Sequence, residues 1–134
     1  MSRGIRNHNP GNIDYNPKND WQGQVGIETG AKNPRFCLFK SPEYGIRALM
    51  KLLINYHKGG HNSVSKIINR YAPSNENNTT AYINGVSEAV NVDPNQVLDI
   101  NKPTLIALAK AIIRHENGNQ PYSEATFEKA FEML

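Results

Sequence analysis

The chain has 134 residues, of which 38% are hydrophobic and 20% are charged, and its formal net charge is +3. This length predicts a single domain, residues 1–134, with a hydrophobic core of its own. No apolar run approaches the roughly 20 residues of a membrane-spanning helix, so we expect no stable insertion into a membrane. The single cysteine, Cys37, excludes an internal disulfide bond, and we expect no metal or other cofactor.

The first 40 residues are rich in turn formers, such as the NPGN sequence at 9–12, and contain three short strand-like segments. These segments are Ile13–Tyr15, Gln24–Ile27 and Phe36–Phe39. None is long enough to form an independent sheet, so they must pack on the rest of the chain. The pattern predicts a small, irregular hairpin region.

From residue 41 onward the apolar residues recur at helical spacing. Helices are predicted from Ser41 to Gly59, from Ser63 to just before Pro73, around Tyr82–Val90, at 101–118 and at 123–134, with a loop at 74–78 and a short helical turn from Asp93 to Leu98. The predicted fold is therefore mainly α, in the α+β class, with an N-terminal hairpin region at 1–40 and a helical region at 41–134.

The helix at 101–118 ends with a glutamate in an unusual position. Glu116 follows Ile112 and Ile113 by four and three residues, which places its carboxyl in line with the apolar stripe. Partial burial and the negative end of the helix dipole both favour the protonated carboxyl, which is the form that a general acid needs. The plainer alternative is a frayed last turn that directs Glu116 into solvent.

Other classes of site have weaker support in the sequence. His57 and His61 are separated by Gly59-Gly60, so a helical pair of metal ligands is not expected. The positive charge favours an anionic partner, but the basic residues lie on separate helices rather than on one stripe, and we expect no binding to nucleic acid. The many aromatic and amide side chains suit a carbohydrate, although most also have a structural explanation.

Five blocks of sequence carry a family likeness. They are RNHNPGNI at 6–13, WQG at 21–23, FKSPEYGIRAL at 39–49, RYAPSNENNTTAYI at 70–83 and AIIRHENG at 111–118. In this order they resemble phage and prophage lysozyme-like proteins, endolysins or virion-associated lysins, that degrade peptidoglycan. The likeness implies a lysozyme-like fold in which helices surround a cleft and a short hairpin forms one wall.

The resemblance also implies roles for particular residues. Glu116 corresponds to the general acid, and Asn9 and Asn12 lie at the hairpin start, where amides would hold N-acetyl groups of the glycan. Tyr82, with Asn78 nearby, corresponds to a cleft tyrosine that steadies an oxocarbenium ion or orients the sugar. In that superfamily the catalytic helix precedes the hairpin. Here the hairpin region begins almost at residue 1, so we expect a permuted order with the catalytic helix on the C-terminal side.

The implied reaction is cleavage of the β-1,4 bond between N-acetylmuramic acid and N-acetylglucosamine by a muramidase or a lytic transglycosylase, or wall binding without cleavage. A hydrolase needs a second carboxylate or a positioned water, and for the carboxylate the sequence leaves four candidates, Asp14, Asp20, Glu28 and Glu43. Trp21 is expected in the hairpin core, with sugar stacking as the alternative. The expected partner is peptidoglycan and the expected state a monomer. No secretory signal is evident, so we expect synthesis in the host cytoplasm and access to the wall through a membrane pore, a virion or a secretion device.

Overall fold

The computed structural model describes residues 1–72 and 78–134, and in these ranges the chain forms six helices and one two-stranded antiparallel sheet. The elements are α1 (Arg3–Arg6), β1 (Gln24–Ile27), β2 (Cys37–Phe39), α2 (Pro42–Lys58), α3 (Val64–Tyr71), α4 (Thr79–Val90), α5 (Lys102–Asn117) and α6 (Glu124–Glu132). The predicted fold class, mainly α with a small hairpin, is confirmed. Most of residues 74–78, predicted as a loop, lie outside the described ranges.

Helix α5 is the centre of the packing and contacts α1, α2, α4 and α6. Its apolar stripe is buried in one continuous core, as the spacing of Leu105, Leu108 and Ile112 predicts. Asn101 caps the start by accepting the Thr104 N–H, and the left-handed Gly118 (φ 79°) ends the helix. Both ends of α5 were therefore predicted correctly.

Three features of the fold differ from the sequence prediction. The segment from Asp93 to Leu98 forms a hydrogen-bonded turn followed by irregular structure rather than a helical turn. The four-residue helix α1 was not predicted, because it has no apolar period and is stabilised by Ser2, whose hydroxyl accepts the Ile5 N–H. The predicted strand Ile13–Tyr15 forms only an isolated bridge, from Asp14 to Phe36, beside the β1–β2 pair.

Residues 7–13, which we call the N-terminal turn, run between the helices and the hairpin. Asn9 is fully buried in this turn, and its side-chain amide donates to the carbonyls of Ile13 and Cys37 while its oxygen accepts the Ile13 N–H. Helix α2 approaches the turn closely at Gly45, where a Cβ would lie only 1.9 Å from the His8 carbonyl oxygen. The buried amide and the missing side chain fix the turn in place.

Glu28, whose side chain is buried, joins α1 to the hairpin through an ion pair with the partly exposed Arg3. Its oxygens accept hydrogen bonds from Arg3 Nε at 2.8 Å, from Arg3 Nη2 at 2.5 Å and from the Asn7 side chain at 3.1 Å. The backbone N–H groups of Arg35 and Phe36 donate to the same carboxylate. Mainly because of Arg3, and despite burial, the pKa of Glu28 lies well below its ordinary value.

Gly45→Ala is expected to destabilise the fold by about 3 kcal/mol, because the new Cβ would collide with backbone that cannot rotate away. Gly85→Ala is the matched control: a Cβ there meets no heavy atom of the described residues within 4 Å. That change should stabilise α4 by about 0.5–1 kcal/mol. Chemical denaturation measures both variants, and equal stabilities would contradict the close approach of α2 to the N-terminal turn.

Glu28→Gln is expected to cost about 2–3 kcal/mol at neutral pH, because an amide cannot accept all of these donors. A carboxylate with a lowered pKa stabilises the fold above its unfolded-state pKa of about 4.3, and this contribution is lost as the pH falls below that value. The difference in unfolding free energy between the two proteins should therefore shrink from about pH 6 to about pH 3. The exposed Glu88→Gln is the control, and a difference independent of pH would contradict the assignment.

Candidate functional site

Glu116 lies in the last turn of α5, half-buried, with both carboxyl oxygens held by neutral donors. The Asn12 side-chain amide donates to Oε1 at 2.9 Å, and the Tyr82 hydroxyl donates to Oε2 at 3.0 Å. Asn12 belongs to the N-terminal turn and Tyr82 to α4, so three separate parts of the chain meet at one carboxyl. Glu116 does not point freely into solvent, which was the plainer alternative.

The neighbouring Asn117 fixes the end of α5 against the N-terminal turn. Its side-chain amide donates to the Pro10 carbonyl at 2.7 Å and to the Ile113 carbonyl at 2.9 Å, while its oxygen accepts the Ser2 hydroxyl at 2.6 Å. A Cβ at Gly4 would lie 2.6 Å from that oxygen, so only glycine lets α1 approach this closely. Glu116 is thus positioned by its neighbour as well as by its own hydrogen bonds.

Tyr82 is fully buried, and its ring stacks on His115 with the centroids 3.6 Å apart. Burial raises its pKa far above the ordinary value of about 10, and the nearby Tyr71 and Glu116 act in the same direction. At ordinary pH the Tyr82 hydroxyl therefore keeps its proton and donates a hydrogen bond to Glu116. Tyr82 is not among the residues that line the neighbouring cleft, and its hydroxyl contacts Glu116, so any role in orienting a sugar would be exerted through Glu116.

A cleft of about 150 Å³ opens beside Glu116, at the seam between the hairpin region and the helices. It is lined by Asn12, Asp14, Arg35, Phe36, Tyr71, Ala72 and Glu116. Asp14 forms an ion pair with Arg35, with 2.6 Å between Oδ1 and Nε. The Tyr71 hydroxyl donates to the Gly11 carbonyl, which holds α3 on the N-terminal turn.

A larger cavity between α4 and α5, about 300 Å³, is lined by small apolar side chains and by cations such as Lys110 and Arg114.

The structure brings together three of the five predicted site residues, Asn12, Tyr82 and Glu116. Asn9 does not join them: its amide is buried and occupied by backbone groups, so it shapes the turn and has no atom left to hold an N-acetyl group. Asn78 is the N-cap of α4, where its side chain accepts the Ala81 N–H. The physical reason is the same for both, since short amide side chains satisfy nearby backbone groups.

The four candidates for a second carboxylate lie in different parts of the structure. Asp14 lines the cleft together with Glu116. Asp20 is exposed in the segment before β1, and Glu28 is buried in its ion pair. Glu43 lies in the first turn of α2, near Tyr122, where burial and then the charge of Glu43 raise the pKa of the Tyr122 hydroxyl. Trp21 is partly buried and packs against the core, as expected.

Sequence reasoning missed four residues that line the cleft, Arg35, Phe36, Tyr71 and Ala72. Tyr71 ends α3 and has the helical spacing of a core residue, so its pattern does not distinguish it from Tyr56. Its place in the RYAP block was the one available signal. Arg35 and Phe36 had no signal, because the pairing of the hairpin decides which side chains face the helices.

Metal and membrane sites were also considered. Within residues 1–72 and 78–134, no three histidine, cysteine, aspartate or glutamate side chains are grouped so as to hold a metal ion. Over the same ranges, no helix combines the length and the hydropathy needed to cross a membrane.

Fold and site together define a mainly helical α+β protein with a carboxyl-bearing cleft at a helix end. No protein-family model matches the chain. The chain is 39% identical over 134 aligned residues to Protein P5 of Pseudoalteromonas phage PM2, which covers 98% of this chain and 81% of that protein. It therefore belongs to the family of this phage protein.

Tyr71, which is partly buried, and Tyr82, which is buried, make the fold sensitive to alkali. The pKa values of Tyr71 and Tyr82 are raised well above about 10, so the stability contributed by their neutral hydroxyls is complete below about pH 10 and is lost as the pH rises above it. We expect these hydroxyls to ionise only as the chain unfolds, in a step seen by tyrosinate absorbance and circular dichroism together. Tyr82→Phe should remove one tyrosinate from that step. Ionisation of all six tyrosines while the fold stays native would contradict this prediction.

Proposed function

We propose that the protein is a peptidoglycan-degrading glycosidase that cleaves the β-1,4 bond between N-acetylmuramic acid and N-acetylglucosamine, with Glu116 as the general acid. The observation that carries the proposal is the carboxyl of Glu116, half-buried beside a polar cleft and held through both oxygens by Asn12 and Tyr82. Sequence resemblance to lysozyme-like phage proteins supports the same assignment.

The two hydrogen bonds fix the orientation of the Glu116 carboxyl. Because both donors are neutral, they orient the carboxyl without forming an ion pair with it. A carboxyl group has about four lone-pair sites, so two hydrogen bonds leave room for a proton and for a substrate oxygen. A fixed orientation matters because general acid catalysis requires the donor within hydrogen-bond reach of the leaving oxygen.

The cleft offers aromatic and polar groups to a glycan. Tyr71 lines it with a ring, and Asn12 lines it with an amide. Within the cleft Arg35 is paired with Asp14, and the chain as a whole carries +3. Peptidoglycan carries carboxylates on its muramic acid and on its peptides, so this charge favours the encounter.

In the proposed reaction Glu116 protonates the bridging oxygen as the bond to the anomeric carbon breaks. The cleft stabilises the positive charge that develops on the sugar ring, and either water or the muramic 6-hydroxyl then attacks. A relative encoded by a phage agrees with this role, because a phage has to pass the wall of its host. The enzyme would reach the wall through a membrane pore, within a virion or by a secretion device.

Glu116→Gln tests the proposal on purified bacterial peptidoglycan. Native protein should release soluble muropeptides, and the variant should lose roughly 10²–10⁴-fold in rate, because the amide cannot supply the proton. Glu132→Gln, at an exposed position on α6, is the matched control and should retain full activity. Thermal denaturation of both variants checks that the fold is intact.

Two results would contradict the proposal. One is lysis by Glu116→Gln at the native rate. The other is native protein that sediments with peptidoglycan but releases no fragments, which would indicate a wall-binding protein without catalysis.

A further inference from the structure

The four carboxylates that the sequence left open as a second acidic group have different surroundings. Glu28 is saturated by Arg3, Asn7 and two backbone N–H groups, so its oxygens are not available to a substrate. Asp20 and Glu43 lie outside the set of residues that line the cleft beside Glu116. Asp14 is the remaining candidate.

Asp14 combines access with a fixed position. It stands at the isolated bridge to Phe36, which ties its backbone to the hairpin. Its carboxylate is 59% exposed and forms a two-point contact with Arg35, at 2.6 Å to Nε and 3.4 Å to Nη2. A side chain that is open to water and oriented by a neighbouring guanidinium can still use its remaining lone pairs.

Asp14, Glu116 and the Tyr71 side chain line the same cleft. The negative charges of both carboxylates add to the effect of burial in raising the pKa of the Tyr71 hydroxyl. The cleft itself, about 150 Å³, is large enough for several water molecules between its walls.

We propose that Asp14 is the base that activates water in this cleft, so that the enzyme is a hydrolase rather than a lytic transglycosylase. This inference rests on the proposed function of Glu116. Glu116 gives its proton to the bridging oxygen, and the bond from that oxygen to the anomeric carbon breaks. Asp14 takes a proton from water, and the water oxygen forms the new bond to the anomeric carbon. The products are a reducing end and a free hydroxyl, with one water consumed.

Arg35 is a positioning residue in this scheme, since it holds Asp14 and acts through it. Its guanidinium also lies over the Phe36 ring, 5.0 Å from the centroid, which limits its movement. Ion pair and ring contact together keep the carboxylate at the edge of the cleft.

Digestion of purified peptidoglycan in ¹⁸O-labelled water tests the inference. Native protein should release reducing muropeptides that each carry one ¹⁸O atom at the new end. Asp14→Asn should lower this release by roughly 10²-fold or more, as expected for loss of a general base. Asp20→Asn, which changes an exposed carboxylate of the same hairpin region, is the matched control and should keep the native rate.

A rescue experiment separates a catalytic role of Asp14 from a structural one. In Asp14→Ala, sodium azide should restore turnover and give a glycosyl azide, because azide attacks the anomeric carbon without needing a base. A merely structural loss would not respond to azide. Circular dichroism and thermal denaturation of both Asp14 variants confirm that the protein is folded.

The outcomes distinguish this inference from the proposed function. Release of 1,6-anhydro products without ¹⁸O, at a rate that Asp14→Asn leaves unchanged, overturns the role of Asp14 while the glycosidase assignment stands. Labelled products at an unchanged rate in Asp14→Asn overturn it as well. Absence of any release by native protein overturns both.

Discussion

The docking of the last turn of α5 on the N-terminal turn is the contact on which the rest of the structure depends. It joins residues more than one hundred positions apart: Asn117 bonds the Pro10 carbonyl, and Glu116 accepts the Asn12 amide. Glycine at position 4 lets α1 close over the same contact. The chain continues from this turn into the β1–β2 hairpin, so the docking also sets the position of the hairpin relative to the helices. The cleft lies between the hairpin and the helices.

Two glutamates near this seam show how surroundings assign different roles to the same side chain. Glu28 is buried with a cation and with backbone donors, which lower its pKa and leave it no free lone pair for chemistry. Among the described residues, the neutral side chains of Asn12 and Tyr82 donate to Glu116, which lies beside the cleft. The first arrangement stabilises the join between α1 and the hairpin, and the second suits proton transfer.

Buried polar groups tie the region together, and each needs a partner to offset its desolvation. The Asn9 amide hydrogen-bonds backbone of the N-terminal turn, and the Asn117 amide joins α5 to the same turn. The Tyr82 hydroxyl donates to Glu116. Such networks have little tolerance for movement, because a shifted donor leaves a polar group buried without a hydrogen-bond partner. Rigidity of this kind is what a site needs if one carboxyl is to act at a fixed distance from a bond.

The sequence by itself determined the helices, because apolar period, caps and glycine stops are local signals. It gave the limits of α5 to within a residue, placed Glu116 in the last turn, and predicted the hairpin region from its turn formers and short strands. Helix α1 was not predicted, since four residues held by a serine cap are too short to show a hydrophobic periodicity.

Tertiary structure alone decided what the polar residues do. The sequence grouped Asn9, Asn12, Asn78 and Tyr82 as one binding set, but an amide bonds whichever backbone group lies nearest, and that depends on the folded chain. Asn9 and Asn78 became a turn residue and a cap, whereas Asn12 and Tyr82 met Glu116. Asp14, Arg35 and Tyr71 reach one cleft only because the hairpin and α3 pack against the N-terminal turn, and such long-range contacts have no local sequence signal.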